Sequence, residues 1–61
     1  MRWLATVWYT DKGGNLQKKT KHYPVVQKSD GSAVELDRTR VIRDVVPEGC
    51  TTTRITRKQV P

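Results

Sequence analysis

The side chains best able to do chemistry in this chain are an indole and a set of cations. Trp8 lies in a stretch of alternating apolar residues, and Lys18, Arg54 and Lys58 lie in segments that could sit beside it. Indole rings stack on bases, while Lys and Arg neutralise phosphates. Trp and Arg are also enriched among the residues that dominate protein–protein contacts. Trp8, Lys18, Arg54 and Lys58 therefore form a candidate partner-binding surface. The competing reading makes Trp8 an ordinary core residue, with a helix packed on its side of a sheet.

Other reactive types are isolated. His22 has no second ligand at a metal-binding spacing, so no metal site is expected. Cys50 is the only cysteine, which rules out an internal disulfide and reads as a small, partly buried residue. Ser, His and Asp show no triad-like arrangement. Asp11-Lys12-Gly13-Gly14-Asn15 is a glycine turn without the Gly-Lys-Ser/Thr ending of a phosphate loop. Leu16 to His22 has a single large apolar residue, too few for an amphipathic membrane helix. No cofactor is implied.

The bulk properties narrow the field further. A chain of 61 residues is one domain, residues 1–61. A domain of that size buries only about 60% of its unfolded surface. With 34% hydrophobic residues the core is small, which argues against an enzyme's walled cleft. A net charge of +6 favours acidic partners, whether nucleic acid, anionic membrane or acidic protein. The apolar N-terminal stretch is too short and too aromatic for a signal peptide, and no run approaches a membrane span. These features lead to the expectation of an intracellular protein without a membrane partner.

Four elements are predicted to position the candidate surface. Trp3 to Thr10 alternates as a strand, with Trp3, Ala5, Val7 and Tyr9 on one face and Leu4, Thr6 and Trp8 on the other. Apolar groups on both faces suit a central strand. After the glycine turn, Leu16 to Gln27 returns as a strand that Pro24, which lacks an N–H, makes an edge strand or bulges. Its lysines also discourage edge-to-edge aggregation. Ser32 to Val46 is predicted to be a helix. Ser32 and Glu35 have capping-box spacing, acids precede arginines, and Val34, Val41 and Val45 share a helical face. Pro47-Glu48-Gly49 then ends the helix, and Thr51 to about Gln59 forms a last edge strand.

The expected fold is α+β: a three-stranded antiparallel sheet of order 2-1-3, with one helix packed on one face, in the sequence β-β-α-β. The alternative is an all-β barrel of five short strands, with a hairpin at Pro47-Glu48-Gly49. In the α+β fold the covered face is expected to hold Trp3, Ala5, Val7, Tyr9, Tyr23, Val25 and Ile55 against Val34, Val41 and Val45. The open face would carry Leu4, Thr6, Trp8, Lys18, Thr20, His22, Arg54, Thr56 and Lys58. Charge divides in the same way: residues 1–28 carry +5, residues 29–49 carry −2 and residues 50–61 carry +3.

Three pieces of this layout, "WLATV" at Trp3–Val7, "VPEG" at Val46–Gly49 and "TRIT" at Thr53–Thr56, resemble the small podovirus proteins that inhibit bacterial RNA polymerase. The resemblance implies one helix on a three-stranded sheet and no enzymatic activity. It implies action in the bacterial host cytoplasm, by occupying the region where DNA enters the polymerase. It also implies a contact role for Arg54, which sits in the matching Thr-Arg pair. The family's second arginine falls at Thr56 here, and Arg57 follows; with the resemblance, Arg57 joins Arg54 and Trp8 as an expected partner contact. The family's acidic strip has counterparts only in Glu35, Asp37 and Asp44.

The expectation is thus a non-enzymatic, monomeric phage protein that binds and inhibits a host protein, with RNA polymerase the first candidate. The alternatives are a nucleic-acid-binding module using the basic, Trp-bearing face, and a phage structural or assembly protein that self-associates through a strand edge.

Overall fold

In a computed structural model that describes residues 1–61, the strand with apolar residues on both faces is the centre of the sheet. The elements are β1 (Arg2–Thr10), β2 (Leu16–Pro24), α1 (Arg38–Val45) and β3 (Thr51–Val60), in the order β2-β1-β3. β1 is antiparallel to both neighbours. The fold is therefore the predicted α+β arrangement, and the five-stranded barrel is not formed.

The β1–β2 ladder runs without interruption from Arg2↔Pro24 to Thr10↔Leu16. Asp11 organises the connecting turn: its carboxylate accepts from the amides of Gly13 and Asn15, both at 2.9 Å, and from the Gln17 side chain at 3.1 Å. Strand β2 stops at Pro24, three residues before the predicted end, because the ring leaves no N–H to continue the ladder. Pro24 causes no bulge. The one irregularity of the sheet lies in β3, where Trp8 faces Arg54 but Tyr9 faces Thr52. Thr53 is the extra residue, and its hydroxyl donates to the Trp8 carbonyl at 3.0 Å.

The helix is shorter than predicted. It spans eight residues, and Asp37 caps it by accepting from the Thr39 amide. Ser32 is not the cap. Its amide and hydroxyl both bond the Asp30 carboxylate, and the Val34 amide donates to Val26. Residues 26–34 thus fold back on themselves as a small hairpin arm, closed by the Lys28–Ser32 and Gly31–Lys28 bonds. The arm holds Val34 extended and exposed, so Val34 leaves the expected helical face.

The covered face otherwise follows the alternation of β1. Trp3, Ala5, Val7, Tyr9 and Tyr23 are buried against Val41 and Val45, with Leu36 in the place expected of Val34. Val25 and Ile55 pack at the margin. The Tyr23 hydroxyl donates to Asp44, which also lies 3.8 Å from Arg40. One short helix cannot blanket three long strands. The molecule measures 46 × 19 × 13 Å and exposes 4453 Å². A compact protein of its mass would expose about 4,000 Å². The far face of the sheet is left uncovered.

Candidate partner-binding face

The uncovered face is built by the register of the two ladders. Each even-numbered residue from Leu4 to Trp8 on β1 has one neighbour on β2 and one on β3, and together these make rows across the sheet. Lys18, Trp8 and Arg54 form one row; Thr20, Thr6 and Thr56 form the next; His22, Leu4 and Lys58 form the third. Arg2 extends the array by one more row, between Pro24 and Val60. All nine residues expected on the open face are on it.

Trp8 is half-buried and is the aromatic centre of the array. The Arg54 guanidinium carbon lies 5.1 Å from the indole centroid and the Lys18 Nζ lies 5.6 Å from it. Cation–π contacts of this kind contribute about 0.5–1 kcal/mol at exposed sites. Their larger effect here is positional. One cation from each neighbouring strand is drawn in over the ring, so Trp8 holds Lys18 and Arg54 beside it without an acidic partner.

Arg57 is not part of this face. It pairs with Ala5, so its side chain is directed to the helix side, where it donates to the Leu36 carbonyl. The structure brings together Trp8, Lys18 and Arg54, places Lys58 two rows along the same face, and sends Arg57 to the other side. Arg2 was missed at the sequence level. Extending the alternation of β1 by one residue, through Leu4, Thr6 and Trp8, would have found it.

The electrostatics are one-sided. None of the six carboxylates lies on a strand, while seven of the twelve Lys and Arg residues do: Arg2, Lys18, Lys19, Lys21, Arg54, Arg57 and Lys58. The only ion pair, Arg40–Asp44, is on the helix. The strand cations are therefore uncompensated by acid. On the helix side, Lys19 lies over Tyr9, and Lys21 and Arg40 over Tyr23. Burial first, and then the bond to Asp44, push the Tyr23 phenol above its ordinary value.

Other features offer less. A half-open groove of about 210 Å³ lies at Trp3, Pro24, Val26, Val34 and Leu36, with Glu35, Asp37 and Arg40 at its walls. None of the candidate contact residues Trp8, Lys18, Arg54, Arg57 and Lys58 lines it, although Glu35 and Asp37 of the expected acidic strip do. His22 is exposed in its row, Cys50 is a free, half-buried thiol against the core, and no three His, Cys, Asp or Glu side chains gather as a metal site. The helix is far too short to cross a membrane. No protein-family model, curated protein or solved structure matches the chain.

Proposed function

We propose that this chain is a non-enzymatic phage protein that binds and inhibits a host protein by laying its open sheet face on an acidic surface of the target. The observation that carries the reading is the Lys18–Trp8–Arg54 row, an aromatic between two uncompensated cations on a carboxylate-free face. A fixed sheet presenting Trp and Arg has the residue types that dominate protein contacts, and it loses little conformational freedom on docking. The surrounding threonines supply a polar rim.

Bacterial RNA polymerase is the first candidate target, on the strength of the resemblance carried by Trp3–Val7, Val46–Gly49 and Thr53–Thr56. The chain acts as a monomer in the host cytoplasm in this reading. Arg54 and Trp8 are central contacts, Lys18 and Lys58 lie around them, and Arg57 serves the fold instead.

The test is capture of polymerase from nuclease-treated bacterial lysate by the tagged chain, followed by binding and transcription assays with purified components. Trp8→Ala and Arg54→Ala are each expected to cost about 2 kcal/mol or more, roughly a thirtyfold loss of affinity. Wild-type affinity in both variants removes the open face from the contact. Failure to retain or inhibit polymerase removes that target.

A further inference from the structure

We infer that the open face is also a binding site for single-stranded nucleic acid, held through its phosphates and through contact of its bases with Trp8 and Arg54. This activity goes beyond the docking on a host protein and does not depend on it.

Three observations on different residues converge on it. The first is charge. Arg2, Lys18, Arg54 and Lys58 all project from one face, none has a carboxylate partner, and no acid lies on any strand. Cations left unpaired over such a length of sheet attract a polyanion. The second is the threonine row. Thr20, Thr6 and Thr56 lie side by side between the Lys18–Trp8–Arg54 row and the His22–Leu4–Lys58 row. Their hydroxyls are unengaged; Thr53 is the strand threonine whose hydroxyl is used. Hydroxyl donors between cations suit phosphate oxygens, which only accept.

The third is the planar pair at the centre. The Trp8 indole and the Arg54 guanidinium are adjacent and surface-placed. Both groups stack on bases, and every base has a face to offer, so such contacts tolerate any sequence. Bases inside a duplex are stacked on one another and unavailable to a flat sheet, whereas a single strand can turn them outward. Rows repeat about every 6.8 Å along a strand, twice the rise per residue. An array that repeats favours a polymer with an anion at each unit over one isolated acidic patch.

The experiment titrates the purified chain with labelled oligothymidine and oligoadenosine single strands, and with a duplex of the same length. Binding is followed by anisotropy and by intrinsic Trp fluorescence. Single strands are expected to bind more tightly than the duplex. With four cations on the face and about 0.7 counterions released per contact, the log affinity should fall with log salt at a slope of about −3. Trp8→Ala should weaken binding about tenfold, within the range of lost stacking contacts. Trp8→Phe should keep most of the affinity and lose the fluorescence change. Lys18→Gln with Arg54→Gln should abolish binding at about 150 mM salt, where the screening length is short.

The control is Lys19→Gln with Lys21→Gln, which removes the same charge from the helix side of β2. An equal loss in that pair means diffuse attraction and overturns the site. So does duplex binding as tight as single-strand binding. Competition by poly-glutamate as strong as by oligonucleotide, at equal charge, assigns the face to acidic protein alone. Circular dichroism of each variant separates lost binding from lost folding. Polymerase capture after nuclease treatment is scored separately, so either activity can fail without the other.

Discussion

Arg57 donates to the backbone carbonyl of Leu36, tying the last strand to the segment that enters the helix. A charged donor on a partly buried carbonyl contributes about 1.5–3 kcal/mol. It also anchors Leu36, which is buried in the core. The two arginines of β3 therefore have separable roles. Arg57→Ala is expected to lower unfolding stability by about 2 kcal/mol. Arg54→Ala should cost no more than about 1 kcal/mol, the upper worth of its exposed cation–π contact with Trp8. Urea denaturation of both variants, beside binding assays of the folded proteins, checks the division. A stable Arg57→Ala would show that the Leu36 contact contributes little.

Trp3 carries a cost that a substitution can expose. Its indole Nε1 is buried and has no hydrogen-bond partner. An orphaned buried donor costs about 1–3 kcal/mol. Trp3→Phe removes that donor while keeping most of the ring, so the lost packing and the relieved polar group oppose each other. Stability is expected to stay within about 1 kcal/mol of wild type, whereas Trp3→Ala should cost about 3–5 kcal/mol. A full core penalty in Trp3→Phe would mean that the N–H is satisfied in solution.

Gly49 closes the loop between helix and last strand at φ +85°. A side chain there meets a left-handed backbone and, in addition, the Lys12 chain, whose Cε lies where a Cβ would go. Lys12 is flexible and can move aside, so the backbone sets the cost, about 1–2 kcal/mol. Gly14→Ala, at φ +81° with open space around it, should cost about the same. Thermal melts of the pair test this. A much larger loss for Gly49→Ala would make the Lys12 packing against the loop a rigid contact.

The pH limits of stability follow from two kinds of group. The Asp11 carboxyl is held below its ordinary value of 3.8, by the Asn15 amide first and then by Gln17, and Ser32 lowers Asp30 in the same way. A depressed carboxyl stabilises the fold above pH 3.8, and that contribution is lost as pH falls through the lower folded value. Tyr23 has the opposite sign. Its raised phenol stabilises the fold below pH 10.0, and the contribution is lost as pH rises through the higher folded value. Denaturation midpoints across pH should therefore decline at both ends. Asp11→Asn should flatten the acid limb, and Tyr23→Phe should flatten the alkaline limb at the cost of the Asp44 bond, about 1 kcal/mol at neutral pH.

Much of this architecture is legible along the chain because its signals are local. Strict alternation from Trp3 to Tyr9 marks a strand and sorts its residues onto two faces. Asp11 to Asn15 has the types a tight turn requires. Pro47 and Gly49 separate helix from strand for the same kind of reason. Reading that alternation across three strands also groups Trp8 with Lys18, Arg54 and Lys58. It places Arg57 on the other side from Arg54, although the family resemblance made it look like part of the same contact.

The remainder depends on contacts between distant residues. Ser32 with Glu35 and Asp37 with Thr39 are both credible helix starts by local chemistry. The choice is made elsewhere: Asp30 captures Ser32, the Val34 amide bonds Val26, and Leu36 is drawn into the core that holds Trp3 and Tyr23. The bulge at Thr53 likewise has no sequence signature, since it arises from matching β3 to the length of β1. The covered side of the sheet is a tertiary outcome too. Val41 and Val45 need an apolar surface, and Ala5 and Val7 present a more continuous one than Leu4, Thr6 and Trp8. Alternation alone separates the two faces of a strand, but burial against the helix selects one of them and leaves Trp8 and its cations to the solvent.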